Sequence, residues 1–315
     1  MNDPDSRHRQ TAPIPFGAIP GLDDEPALTL ERGDNPAMPV LVAVPHAGRC
    51  YSPAVLADMR MPEEASLRLE DRHIDLVGHA LARSTGASLL IARAPRALID
   101  LNRSPDDMDW SMVADRPSAD RIQGAAQGRR ARSGLGLVPR RLPGMGELWR
   151  GRLTSKDLEE RLDQVHRPYH TALATMLENI RDRWGAALLV DLHSMPPIGP
   201  KNGPVRAPDF VIGDRFGGSC DTALSAAALE GFASMGEFAA HNRPYAGGYV
   251  LDRHACVRRN IHGLQIEVCR ATYLDRRLRD PGTGVGHVAA VLGQVVRRLS
   301  EDLLGRAPSL REAAE

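Results

Sequence analysis

Apolar residues fall along this chain in short runs that end abruptly at polar ones. LLVDLHSMPP at 188–197 is apolar at four of its first five positions, as a strand covered on both faces requires, and its two prolines forbid continuation as strand or helix. The buried strand is expected to stop at His193. PVLVAVPHAG at 39–48 repeats the scheme: Pro45 ends the run, His46 follows, and Gly48 allows a sharp turn with no side chain to crowd a ligand. A third run, SLLIA at 88–92, leads into RALIDLNRSP at 96–105, where Asn102 and Arg103 stand at another turn. DFVIGD at 209–214 predicts a further strand. In HGLQIEVC at 262–269, Leu264, Ile266 and Val268 share one face, while Gln265, Glu267 and Cys269 share the other.

Between these runs the period lengthens. Leu67, Ile74, Val77 and Leu81 predict one helix over 62–84, stopped by Gly86, with Asp71 and Asp75 on a common face. Thr154 and Asp157 have the form of a capping box opening a helix through Leu158, Leu162 and Val165. Pro168 is expected to disturb that helix, and another is predicted over 171–184. Further helices are expected at 219–233 and 288–304. Strands alternating with helices predict an α/β fold, in which ligands bind at the carboxyl ends of the strands. Residues 106–150, rich in Gly, Pro and Arg and nearly aperiodic, are expected to form a lid-like insertion in a single domain spanning 16–305. Residues 1–15 and 306–315 are expected to be disordered tails.

Charge narrows the partners. Forty basic and forty acidic residues leave no net field toward nucleic acid or an anionic membrane, and Arg129-Arg130-Ala131-Arg132 lacks the interleaved aromatics of a nucleic-acid surface. Only Lys156 and Lys201 are lysines, so nearly every cation is a planar fork able to grip a carboxylate. Arg96 and Arg103, beside turns, are candidates for that task; the alternative is pairing with solvent or neighbouring acids. The four cysteines show no CxxC spacing, the opening residues are polar, and no run approaches 18 apolar residues. A cytoplasmic protein with reduced thiols and no membrane association is expected.

Two histidines at strand ends, an acidic segment EDRHID at 70–75 and a glutamate inside a strand suggest a metal site. Two imidazole nitrogens and one carboxylate oxygen, with the fourth position open, are the ligand set of a hydrolytic zinc centre. Burying Glu267 is costly unless a cation lies close. His166 and His170 stand at i and i+4, but Pro168 intervenes and no glutamate follows His166 as in HExxH, so a hydrogen-bonding or packing role is expected. The Gly247-Gly248 pair offers a turn that can close on a ligand.

PHAG (45–48), EDRHID (70–75), IDLNRSPDD (99–107), HRPYH (166–170), LLVDLHSMPP (188–197), YAGGY (245–249) and HGLQIEVCRATY (262–273) together resemble the N-formylglutamate amidohydrolase family, over roughly residues 39–299. The resemblance implies a three-layer α/β/α fold around a mixed sheet, zinc carboxypeptidase-like. It also implies zinc-dependent hydrolysis of N-formyl-L-glutamate to formate and glutamate, a late step of histidine breakdown, so that the partner is a small acyl amino acid. Carried over by motif, it makes His46 and His193 zinc ligands, with Asp71 as the acidic ligand; Glu70 and Asp75 stand close enough to compete. Glu267 becomes the general base that activates water and returns the proton to the departing amine. Asn102 and Arg103, with Arg96, would hold the carboxylates, and the Gly247-Gly248 turn would border the substrate. The lid, with its GLGLVPRR stretch, is where selectivity would be set. The alternatives are a zinc hydrolase of another N-acyl amino acid or small peptide, and a non-catalytic ligand-binding protein of the same fold.

Overall fold

The computed structural model describes residues 16–22, 24–32, 36–115, 128–200, 203 and 206–306. Its centre is a seven-stranded sheet in the order β1-β3-β2-β6-β9-β7-β8. The strands are β1 (Leu28–Glu31), β2 (Val40–Val44), β3 (Ser88–Ala92), β6 (Ala187–Met195), β7 (Phe210–Gly213), β8 (Ala239–His241) and β9 (Ile261–Cys269). β3, β2, β6 and β9 run parallel; β1 and β7 pair antiparallel to β3 and β9, which makes the sheet mixed. The remaining strands, β4 (Arg141–Leu142) and β5 (Gly146–Glu147), form a hairpin within the insertion. Edge strands of four and three residues leave little unpaired backbone exposed.

Helices cover both faces: α1 (Pro53–Asp58), α2 (Pro62–Leu69), α3 (Ile74–Thr85), α4 (Arg129–Arg132), α5 (Ser155–Arg161), α6 (Arg167–Trp184), α7 (Thr222–Ser234), α8 (Tyr249–His254) and α9 (Val285–Arg306). On one face Val40, Val42, Val44, Leu188, Val190, Leu192, Leu264, Ile266 and Val268 pack under α3, α7 and α9. On the other, Leu41, Ala43, Ala187 and Leu189 pack under α6, α1, α2 and much of the insertion. The strands read as continuous apolar runs because each residue meets a helix layer whichever way it points. The result is the three-layer α/β/α arrangement. No helix among the described residues is long and apolar enough to cross a membrane.

Three expectations need correction. The strand does not stop at His193; β6 continues to Met195, and Pro196 ends it, so His193 projects from the sheet face rather than from a turn. The helix expected over 62–84 is two helices, because Glu70 leaves α2 extended (φ −70°, ψ 141°) and His73 enters α3 left-handed (φ 57°). Asp71 therefore lies in the break and shares no helical face with Asp75, whose carboxylate receives both arms of Arg49 at 3.0 and 2.7 Å. Pro168 does not interrupt the helical path: α5 passes through a wide turn at Leu162–His166 directly into α6, and Pro168 sits in the first turn of α6, where its missing N–H costs least. The insertion contributes Met108, Met112, Val113, Leu137, Val138, Leu148 and Trp149 to the core under α6.

His166 and His170 take the packing role expected of them. His166 Nε2 donates to the Arg103 carbonyl at 3.0 Å, and His170 Nδ1 shares a 2.8 Å hydrogen bond with Nε2 of His254, at the end of α8. Burial pushes His166 down to about 4 and His254 to about 3, and holds His170 well below its ordinary value. These imidazoles are neutral in the fold and protonate in the unfolded chain below about pH 6.5, so each contributes stability above that pH which is lost on acidification. His166 and His254 are each expected to lower the folding constant up to about tenfold per pH unit as pH falls from about 6.5 to about 4. His254→Gln should flatten the pH dependence of urea midpoints across that window; parallel curves for variant and parent would show His254 already protonated in the fold.

Candidate active site

One face of the sheet turns polar at a single place. Parallel register sets Asp191 opposite Gln265 and His193 opposite Glu267, and the period-two rule aims all four toward the face covered by α6 and the insertion. Meanwhile Leu192, Ile266 and Val268 keep the opposite face apolar. His46 arrives from the turn after β2, the neighbour of β6. Asp71 arrives from the break between α2 and α3, where its backbone N–H donates to the His46 carbonyl at 2.8 Å. His46, Asp71, His193 and Glu267 are all buried.

The two imidazoles are held from behind. His46 Nε2 lies 2.7 Å from Asp100 Oδ1 and His193 Nε2 lies 2.9 Å from Asp191 Oδ2. Burial opposes the charge of Asp100, yet Arg96, His46 and Arg103 hold its carboxyl well below the usual range, so it accepts and His46 Nε2 donates. His46 Nδ1 is left as a buried nitrogen with no hydrogen-bond partner among the described residues, 3.6 Å from Asp71 Oδ2. His193 Nδ1 lies 2.9 Å from the same oxygen. Asp71 is likewise held ionised against burial by His193 and His46, and Asp191 and Asp71 raise the His193 imidazole above its ordinary range against burial, a bias that a bound cation in place of the proton would satisfy equally.

His46, Asp71 and His193 offer ligand atoms that all lie within 4.8 Å of one another. An unpartnered imidazole nitrogen, a carboxylate and a second imidazole, with the far nitrogen of each ring fixed by its own carboxylate, match a metal ligand set with its outer shell in place. The donor chemistry therefore fits a divalent ion such as zinc. Glu70 instead bonds Arg72 at 3.0 Å, and Asp75 is occupied by Arg49. Beside the three, Glu267 accepts from Gln265 Nε2 at 3.0 Å, and burial pushes its carboxyl up to about 7 against the pull of His193. A carboxyl poised there can take and return a proton near neutral pH.

These groups open into a cleft of about 300 Å³ whose lining includes Arg96, Asn102, Arg103, Gly247 and Gly248. Arg96 meets Asp100 Oδ2 with Nε and Nη2, both at 2.9 Å, so part of its fork is committed to holding the carboxylate behind His46. Arg103 donates to the carbonyls of Leu135 and Asn102 at 3.0 and 2.7 Å. Asn102 Oδ1 accepts the Val250 N–H at 2.9 Å, joining this loop to the start of α8. A Cβ at Gly248 would sit 2.5 Å from Asn102 Oδ1, so glycine is what lets the Asn102 amide lie there. Gly247 has φ +98° and no room beside Leu251.

Local sequence pattern does not mark Asp100, Asp191 or Arg270 as parts of the site. For Asp191 the period-two rule gives only the face it shares with His193, two residues on along a buried strand. Arg270 bonds Ser194 Oγ at 3.0 Å and the Leu67 carbonyl at 3.3 Å and approaches Asp71 Oδ1 at 3.5 Å; nothing local in the sequence pairs residues 199 apart.

The three-layer α/β/α fold carries a buried His-Asp-His cluster of the kind that hydrolytic metal centres use. The chain belongs to the N-formylglutamate amidohydrolase family, whose profile matches residues 38–274. It is 32% identical over 283 residues to the N-formylglutamate deformylase of Pseudomonas aeruginosa, covering 88% of this chain and 96% of that protein. To the N-formylglutamate deformylase of Pseudomonas putida it is 32% identical over 271 residues, covering 85% and 92%. The crystal structure of N-formylglutamate amidohydrolase from Ralstonia eutropha JMP134 superposes with a TM-score of 0.78 at 28% identity, covering 88% of this chain and 98% of that one.

Gly248→Ala is expected to push Asn102 from Val250 and from the cleft, reducing hydrolytic kcat/KM by about tenfold or more while the chain stays folded. Steady-state kinetics beside a thermal melt checks this; unchanged kinetics would mean that the Asn102 position is immaterial.

Proposed function

We propose that this chain is a zinc-dependent amidohydrolase that cleaves the formyl amide of N-formyl-L-glutamate to formate and L-glutamate, in histidine degradation. The observation that carries this reading is the buried, unpartnered Nδ1 of His46 facing Asp71 and His193, with Glu267 raised to about 7 beside them. The family, and the substrate in its relatives' names, support the choice of amide. His46, Asp71 and His193 would hold the ion. When bound, zinc lowers the pKa of water and polarises a carbonyl.

Glu267 takes a proton from the attacking water as its oxygen bonds to the formyl carbon, and gives it to the amide nitrogen as the C–N bond breaks. Asn102 and Arg103 hold the α-carboxylate and so fix the formyl group at the attacked position. Asp100 and Asp191 keep both imidazoles oriented, and Arg270 braces Asp71 from the far side. A polar cleft of about 300 Å³ suits a small charged amide better than a peptide. The four cysteines are unpaired, in keeping with a reducing cytoplasm, where we place the protein.

Formate release should be measured on zinc-loaded protein with N-formylglutamate, N-formylaspartate and N-acetylglutamate. Turnover is expected to favour the first, with about one zinc per chain by metal analysis. Preference for another acyl amino acid would move the substrate, and bound zinc without any turnover would make this a binding protein. Glu267→Gln should lower kcat by roughly 10²–10⁴ without loss of zinc, since general acid–base catalysis contributes about that much; full turnover in the variant would remove Glu267 from the mechanism. Dialysis against a chelator should abolish activity, and added zinc should restore it.

A further inference from the structure

Five arginines line the cleft: Arg68, Arg96, Arg103, Arg130 and Arg270. Four have part of their guanidinium engaged within the fold. Arg68 meets Glu64 at 3.2 Å and the Pro143 carbonyl at 2.7 Å, Arg96 meets Asp100, Arg103 holds two carbonyls, and Arg270 holds Ser194 and backbone carbonyls beside Asp71. Arg130 differs: among the described residues no carboxylate or carbonyl engages its guanidinium, although it forms part of the cleft wall.

Its place is set by a backbone scaffold. Asp107, within the IDLNRSPDD motif, accepts the Ala131 N–H at 3.1 Å and so anchors the turn that carries Arg130. The Leu135 N–H donates to the Arg130 carbonyl at 2.9 Å, and the Leu135 carbonyl receives Arg103 Nε at 3.0 Å. A Cβ at Gly128 would come within 2.1 Å of Asp107 Oδ1, so glycine permits this approach. Arg130 is thereby tied to Arg103 by one short chain of hydrogen bonds. Arg103 and Tyr245, whose ionisation is governed first by burial, both also feel its positive field, which puts it near two walls of the cleft.

We propose that Arg130 determines specificity by pairing with the side-chain carboxylate of an acyl amino acid whose α-carboxylate lies at Asn102 and Arg103. This deepens the function proposed above and rests on it. An otherwise unpaired cation on the wall selects a dicarboxylate: a neutral amide of the same shape cannot accept a charge-assisted bond and leaves the guanidinium without an anion. The insertion thus carries the selecting charge, while the sheet and the turns beside it carry the reacting groups.

The test uses zinc-loaded, full-length protein with N-formyl-L-glutamate and its near-isostere N-formyl-L-glutamine. The parent should show a lower KM for the acid by about tenfold or more, in line with one charge-assisted hydrogen bond. Arg130→Gln should collapse that KM ratio toward one with kcat for the acid changed little, and Arg130→Lys should retain part of it. A ratio that survives in Arg130→Gln overturns the assignment, as does a parent without preference. Should the parent turn over neither compound, the proposed function fails separately. Calorimetric binding of glutarate against glutaramate then decides: a preference for glutarate lost in Arg130→Gln supports the assignment, and no preference, or one that persists, overturns it.

Discussion

Parallel pairing of β6 with β9 is the constraint on which the site depends. It fixes His193 directly across from Glu267 and Asp191 across from Gln265, on the same face of the sheet. A slip of β9 by one residue against β6 would turn Glu267 into the apolar layer under α3, α7 and α9, and would present Ile266 to the cleft while His193 stayed where it is. The register is secured by the alternation itself, because Leu188, Val190, Leu192, Leu264, Ile266 and Val268 can be buried only on that opposite face.

Holding several carboxylates in so small a buried volume requires compensation. Asp100 lies between His46 and Arg96, Asp191 lies behind His193, and Asp71 lies between both imidazoles and Arg270. Each carboxylate thus has a cationic or hydrogen-bond donor on it, which is the condition for tolerating charge in a low-dielectric interior. Glu267 has the weakest donor set and is the one whose carboxyl rises toward 7. The same packing that stabilises the ionised acids leaves one group able to exchange a proton. His46 Nδ1 and Asp191 Oδ1 are the polar atoms of the cluster without a hydrogen-bond partner among the described residues, and His46 Nδ1, close to Asp71, makes the ligand set readable.

The insertion belongs to this arrangement as well as to the core. Asp100 N–H donates to the Leu137 carbonyl at 2.7 Å and Leu137 N–H to the Asp107 carbonyl at 2.7 Å, so the loop bearing Asn102 and Arg103 and the insertion support each other. His166 reaches the Arg103 carbonyl from the wide turn that leads into α6, and Asn102 reaches Val250 of α8. The cleft floor is therefore braced from three directions by groups that lie far apart in the chain.

Local pattern in the sequence determined five of the sheet's seven strands, their two-faced burial, the end of the apolar run before His46, and the face on which Glu267 lies, because period and proline act over a few residues; the short edge strands β1 and β8 carry too little pattern to be read this way. Motif order pointed to the family and to Asp71, which the helical reading could not separate from Glu70 and Asp75. Tertiary structure decided what depends on distant contacts. The break at residues 70–73, which joins Asp71 to the His46 carbonyl, is one such feature, and the partnership of Asp100 with His46 is another. The bracing by Arg270 and the place of Arg130 on the cleft wall complete them. These groups meet through hydrogen bonds across tens to hundreds of residues, and local periodicity carries no record of which distant donor will satisfy a buried acceptor.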